Sequence, residues 1–210
     1  MAKVAARDRE AFLGKRRDEL VEAALSLWAE RGYDGSSVEA IAHRAGLSKG
    51  SFYVYFPSKL ALLEQAVRRH SLQLPLERTL GELRDAPLEE VVPRLARAIW
   101  RHLQERRPLM TVMLREMPSH LDLARHFVEV VVLPVNRLFA AYLESRLGKE
   151  RARELDLLVA GRGLIGMLMV NFLLQEVLGG KKLVDVPDEA LLDTVGEVFL
   201  HGVRGQRAGS

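Results

Sequence analysis

No segment of this chain alternates apolar and polar residues between hairpin turns, whereas apolar residues recur at helical spacing along almost its whole length. That pattern confines the fold to the all-α class. The one β-branched run, Val128, Val130, Val131 and Val132 with Leu133, has no second run to pair with and reads as a buried helical face. Proline and glycine divide the rest. The first helix covers residues 8–31, with Leu20, Ala24, Leu27 and Trp28 on one face and Gly32 after it. Shorter helices follow over 37–45 and from Ser48 to Tyr55. Ser36 with Glu39 has the form of a capping box for the former, and Pro57 stops the latter. A fourth runs over 59–81, with Pro75 kinking or dividing it. Longer helices cover 87–107, 108–117, 119–147 (kinked at Pro134), 149–178 and 187–203.

The 210 residues carry a net charge of +3, and the whole excess lies within residues 1–70. This divides the chain into a basic module, residues 1–70, and a neutral apolar one, residues 71–205. With no cysteine, disulfides, zinc fingers and thiol nucleophiles are excluded. Residues 1–17 are charged and lack the apolar core of a signal peptide. The apolar stretch 155–178 is interrupted by Asp156, Arg162, Asn171 and Glu176, so no membrane span is expected and the cytoplasm is the expected location. His120 and His126 are six apart with no carboxylate cluster beside them, so no metal site is expected, and no cofactor either. P-loop, HExxH and GxSxG signatures are absent, so the chain reads as a non-enzyme.

Residues 36–59, SSVEAIAHRAGLSKGSFYVYFPSK, have the form of a helix-turn-helix. Ala42 is small where two helices must approach, and Gly46 supplies a turn residue without a Cβ penalty. Val38, Ile41, Leu47, Phe52 and Phe56 suit inward positions. Facing outward are Lys49, Gly50, Ser51, Tyr53 and Tyr55, a surface that suits a major groove. Ser36, Ser37 and Ser48 offer hydroxyls at helix starts, and Lys59 stands at the far end for a second phosphate clamp. Lys3, Arg7, Lys15, Arg16 and Arg17 form a basic N-terminal arm for the backbone or a minor groove.

Residues 20–67 resemble the DNA-binding domain of TetR-family transcriptional regulators. The resemblance rests on the run AALSLWAERGY at 23–33, then Ser37-Val38, Ile41-Ala42 and Ala45-Gly46-Leu47-Ser48. Gly50, Tyr53, Tyr55-Phe56, Lys59 and Leu62-Leu63 complete it. The family often has Thr where Ser37 stands and His where Tyr55 stands; both replacements keep a hydrogen-bonding group. The resemblance implies an N-terminal three-helix DNA-binding domain and a C-terminal helical ligand-binding and dimerisation domain. It also implies a homodimer on an inverted-repeat operator of double-stranded DNA, released when a small-molecule effector binds, and most such proteins are repressors.

Gly161, Gly163 and Gly166 match the dinucleotide fingerprint GxGxxG, with Asp185 downstream, which would make a nucleotide-dependent enzyme if residues 157–160 were a strand. The favoured reading is that small residues let two long helices pack closely. Gly161, Gly163, Leu164, Met167, Leu168, Leu191, Val195, Val198 and Phe199 then form the dimer interface, as the resemblance places the last two helices in a four-helix bundle. Trp100, Leu103, Met110, Met113, Leu114, Met117, Phe127, Val131, Phe139 and Phe172 each suit a core position singly, and together can surround a ligand. Gln104, Arg115, Asn136 and Asn171 are the polar candidates beside them. The effector expected is apolar or amphipathic: an acyl-CoA, a fatty acid or an aromatic compound. Arg101, Arg106, Arg107 or Arg115 would meet an acyl-CoA head group.

Overall fold

A computed structural model describes residues 2–69, 71–119 and 121–205; the side chains at 2–10, 115–117 and 123 lie outside that description. Among the described residues there is no strand, and the α-helices are α1 (Ala2–Arg31), α2 (Val38–Arg44), α3 (Lys49–Tyr55), α4 (Lys59–Arg69), α5 (Gln73–Glu82), α6 (Leu88–Glu105), α7 (Arg107–Glu116), α8 (Leu121–Phe127), α9 (Leu133–Leu147), α10 (Lys149–Glu154), α11 (Leu157–Phe172) and α12 (Asp188–Arg204).

Three helices expected from the sequence are broken, each for a local reason. The expected helix 59–81 is α4 and α5, with Pro75 in the first turn of α5, where a missing N–H removes no helical bond. The expected helix 119–147 is α8 and α9 joined by a π-type turn at Val128–Val132. Pro134 follows directly; it has no N–H to give, and the wider turn makes room for its ring. The expected helix 149–178 breaks at Leu155. Asp156 then caps α11, its carboxylate accepting from the amides of Leu158 (3.0 Å) and Val159 (3.1 Å), and a second π-type turn, Leu173–Val177, ends the run. The first helix also starts earlier than expected, at Ala2.

The chain folds as two compact units, residues 1–70 with 108–127, and residues 71–107 with 128–210. Residues 108–127, which the sequence division assigns to the second domain, are grouped with the first unit. There α1 buries Leu20, Ala24, Leu27 and Trp28, the face its periodicity marks, and packs on α2, α3 and α4. Each large apolar side chain so buried contributes about 1.5–3 kcal/mol relative to exposure. Arg44 on α2 donates to Glu30 (3.0 Å) and Ser26 (2.8 Å) on α1, and its bond to the Glu30 carboxyl holds that group below the usual carboxylate range. Helix α8 packs on α4, where His126 Nε2 lies 3.7 Å from Glu64 Oε1.

In the second unit α11 packs against α6, α9 and α12. Its buried positions are Gly161, Leu164, Leu168 and Phe172, a single stripe at helical spacing. At Gly161 α9 comes close: a Cβ there would lie 3.3 Å from Phe139 Cδ1. Phe139 in turn stacks on Phe199 of α12 with centroids 5.9 Å apart. By length and composition alone, the runs Ala124–Leu147 and Leu157–Val177 are apolar enough to cross a membrane. For the second, that apolarity comes from a second stripe, described below, added to the buried one.

Candidate nucleic-acid interface

The helix-turn-helix is set by backbone chemistry at both sides of its turn. Helix α2 ends in a Schellman motif: Leu47 N–H donates to Ala42 C=O (2.8 Å) and Gly46 N–H to His43 C=O (3.0 Å). The motif needs a left-handed residue, and Gly46 supplies it at φ +70°. Ser48 then caps α3, its hydroxyl accepting from Ser51 N–H (3.1 Å). Phe52, fully buried, anchors α3 in the unit, and Phe56 is buried beyond it. Phe56 is extended, as the residue before Pro57 must be, and Ser58 caps α4 through Ala61 N–H (3.0 Å).

This arrangement sorts the predicted contacts. Lys49 and Gly50 are exposed, Tyr53 is 51% exposed, and Tyr55 and Ser51 are half-buried. The Lys49 ammonium lies 3.9 Å from the Glu39 carboxylate, a weak surface pair that a phosphate can displace. Ser37, not Ser36, is the N-cap of α2, accepting from Ala40 N–H (3.1 Å). Ser36 is 1% exposed and turns inward, donating to Gly32 C=O (2.8 Å), so it is corrected from a DNA contact to a loop lock. Lys59 is likewise engaged within the fold. Its ammonium donates to the carbonyls of Tyr33 (2.7 Å) and Ser36 (3.2 Å) and sits 4.1 Å from the Tyr33 ring centroid, tying α4 to the loop before α2. A lysine that ends a helix-turn-helix reads from sequence as a phosphate clamp; only the fold puts two carbonyls within its reach. Sequence reasoning missed Val54, which is 73% exposed on α3. Its signal was legible: the positions either side of the anchor Phe52, at helical spacing, put it on the outer face.

Along α1, Lys15 and Arg17 are exposed and Arg16 pairs with Glu19 at 2.6 Å. They belong to a continuous helix and not to an extended arm. The side chains of Lys3 and Arg7 lie outside the described residues.

Residues 20–66, the helices just described, match the family of bacterial regulatory proteins named for tetR. Over these residues the chain carries a TetR-family DNA-binding domain. A HTH-type transcriptional regulator of Bacillus subtilis, YuxN, is 54% identical over 44 residues, 21% of this chain. IcaR of Staphylococcus aureus, the negative transcriptional regulator of the biofilm operon icaADBC, is 36% identical over 52 residues, 25% of this chain. The matches span only 15% and 28% of those relatives' lengths. The fold likeness extends further. The crystal structure of Bacillus subtilis FadR in complex with stearoyl-CoA superposes with a TM-score of 0.70 at 22% identity, covering 88% of this chain and 97% of that one.

In the second unit, Gly161, Gly163 and Gly166 all lie inside α11, and residues 157–160 are helix, so the strand that a dinucleotide fingerprint requires is missing. The predicted dimer set is partly corrected. Leu164, Leu168, Leu191 and Val195 are buried within their own protomer, and Gly161 faces Phe139. Gly163, Met167 and Val198 line an open apolar groove of about 370 Å³ between α11 and α12, with Val159 and Gly202, and the largely buried Phe199 forms part of its wall. Val159 and Val198 are each 57% exposed. Helix α11 is apolar on both sides, and periodicity alone does not say which stripe faces in.

The predicted ligand set falls in both units. Trp100, Leu103, Val131, Phe139 and Phe172 are buried in the second, where Trp100 meets Phe172 edge-on at 6.1 Å. Gln104 donates to Asp188 (2.9 Å), and Asn171 donates to Met167 C=O (2.8 Å). Met113 is buried in the first unit, Met110 and Phe127 are half-buried, and Leu114 is exposed and so corrected from a buried lining position. The side chains of Met117 and Arg115 lie outside the described residues. Two donors in the second unit's core, Trp100 Nε1 and Asn136 Nδ2, have no acceptor within hydrogen-bond distance.

Proposed function

We propose that this protein is a cytoplasmic, homodimeric repressor that binds an inverted-repeat operator and releases it when a small apolar or amphipathic molecule enters the second unit. The observation that carries the proposal is the solvent-facing surface of α3, Lys49, Gly50 and Tyr53, held on the buried anchor Phe52. IcaR, a negative regulator 36% identical over 52 residues, supports repression. The stearoyl-CoA complex of FadR, similar in fold, supports a long-chain acyl-CoA as the first effector to try; fatty acids and aromatic compounds are the alternatives. The unpaired donors of Trp100 and Asn136 support a ligand oxygen among the apolar side chains, because each buried donor left unpaired costs about 1–3 kcal/mol.

Selection from a random-sequence duplex pool at low salt is the test. An enriched inverted repeat, with half-sites about one helical turn apart, is the expected result. Adding stearoyl-CoA to the complex should release the duplex. A pool that enriches nothing contradicts the proposal.

The open groove of α11 and α12 supports pairing with a second copy of the chain. Val198→Asp puts a charge into that apolar surface without touching the protomer core. By sedimentation velocity at micromolar concentration, the wild-type protein should be a dimer and V198D a monomer, with unchanged helix content by circular dichroism.

A further inference from the structure

Helix α3 has the sequence Lys49-Gly-Ser-Phe-Tyr-Val-Tyr55 and contains no Arg, Asn, Gln, Asp or Glu. The paired hydrogen bonds by which Asn or Gln identifies adenine in the major groove are therefore not available from it, and Lys49 alone can address a guanine. Its serine is occupied as well: the hydroxyls of Ser48 and Ser51 lie 2.8 Å apart, and Ser48 also accepts the Ser51 N–H. Lys49 is the single charged group on the helix.

The outward face of α3 is Gly50, Tyr53 and Val54, spaced i, i+3 and i+4. Val54 is 73% exposed, more than most large apolar side chains of the protein, and Tyr53 is half-exposed beside it. Gly50 has no internal reason to be glycine. Its φ is not positive, and a Cβ built there would find its nearest neighbour, Ser48 Oγ, at 3.9 Å. A helical glycine that the fold does not need leaves the backbone bare on the side where a duplex would approach. Val54 stands one turn beyond Gly50 on the same face, next to Tyr53 in the chain, and the space a Gly50 Cβ would take is open, with only Ser48 Oγ within 4 Å. This face offers an exposed isopropyl group beside a stretch of helix that bears no side chain. In the major groove, the only apolar projection from a base edge is the C5-methyl of thymine.

We propose that Val54, one turn from Gly50 and next to Tyr53, reads a thymine methyl in each half-site, so that this position is recognised by a methyl group and not by hydrogen bonds. The proposal rests on the reading of α3 as the DNA-contacting helix.

The experiment replaces thymine by uracil, one position at a time, in the duplex that wild-type protein selects from a random-sequence pool. Uracil keeps every hydrogen bond and removes only the methyl. One thymine per half-site should show a loss of about fourfold when changed in one half-site and roughly fifteenfold when changed in both, the size of one buried methyl group and of two. Full-length Val54→Ala, with unchanged thermal melting, should bind thymine and uracil duplexes equally. A uracil scan that is flat at every thymine overturns the proposal while leaving DNA binding intact. A uracil penalty that persists in V54A overturns the assignment to Val54. A pool that enriches nothing overturns the DNA-binding reading itself, and the methyl reading with it.

Discussion

Replacing Lys59 by methionine should destabilise the first unit by about 2 kcal/mol and leave its electrostatic contact with DNA unchanged. The ammonium donates to two carbonyls, at Tyr33 and Ser36, in a loop whose Tyr33 and Ser36 are buried. A hydrogen bond to a charged group is worth about 1.5–3 kcal/mol, and the partial exposure of Lys59 holds the combined loss to about the worth of one such bond. Methionine keeps much of the stem but not the donors. For a unit of this size the melting temperature should fall by roughly 10 °C. At a temperature where the variant is folded, the slope of log affinity against log salt should match the wild type. A lysine on a phosphate would instead lower that slope by about one. Thermal melting and a salt titration on the same protein separate the two roles.

Phe139→Ala should be costlier, about 3–5 kcal/mol in urea unfolding. The ring is fully buried, faces Gly161 on α11, and stacks on Phe199 and on Tyr142 at 5.9 and 6.4 Å between centroids. Removing it opens a cavity where α9 and α11 come close. Gly161→Leu should also destabilise, by about 1–3 kcal/mol, because its side chain meets that ring with no room to move. In the double variant the leucine fills the space the ring has left, so the two costs should fail to add. Additive losses would mean that the two residues do not share one packing site.

The all-helical fold was legible because period-3.6 apolar faces leave little else to read, and the helix-turn-helix was legible because its parts are local. Gly46 and Ser48 act on backbone groups within a few residues, and Leu20, Leu27 and Trp28 mark one face of one helix. What sequence did not reveal depends on distance. Lys59 finds its partners at positions 33 and 36, and Ser36 turns toward Gly32 and Leu27, contacts that only the folded loop creates. On α11, Leu164 and Val159 are equally apolar, and the packing of α6, α9 and α12 decides which is buried. Asp156 is a different case: an acidic residue directly before an apolar run is a readable N-cap, and the break there was available from sequence.

DNA recognition through the exposed face of α3 is tested most directly by fluorescence anisotropy on the selected duplex, comparing wild type with Tyr53→Ala. Tyr53 is 51% exposed and touches its own unit mainly through an edge-on contact with Phe52 at 5.4 Å, so its loss should leave melting unchanged. Binding should weaken by about tenfold or more, the size of one lost base or backbone contact of about 1–3 kcal/mol. A Tyr53→Ala protein that melts like wild type and binds the duplex with wild-type affinity would contradict recognition through this face.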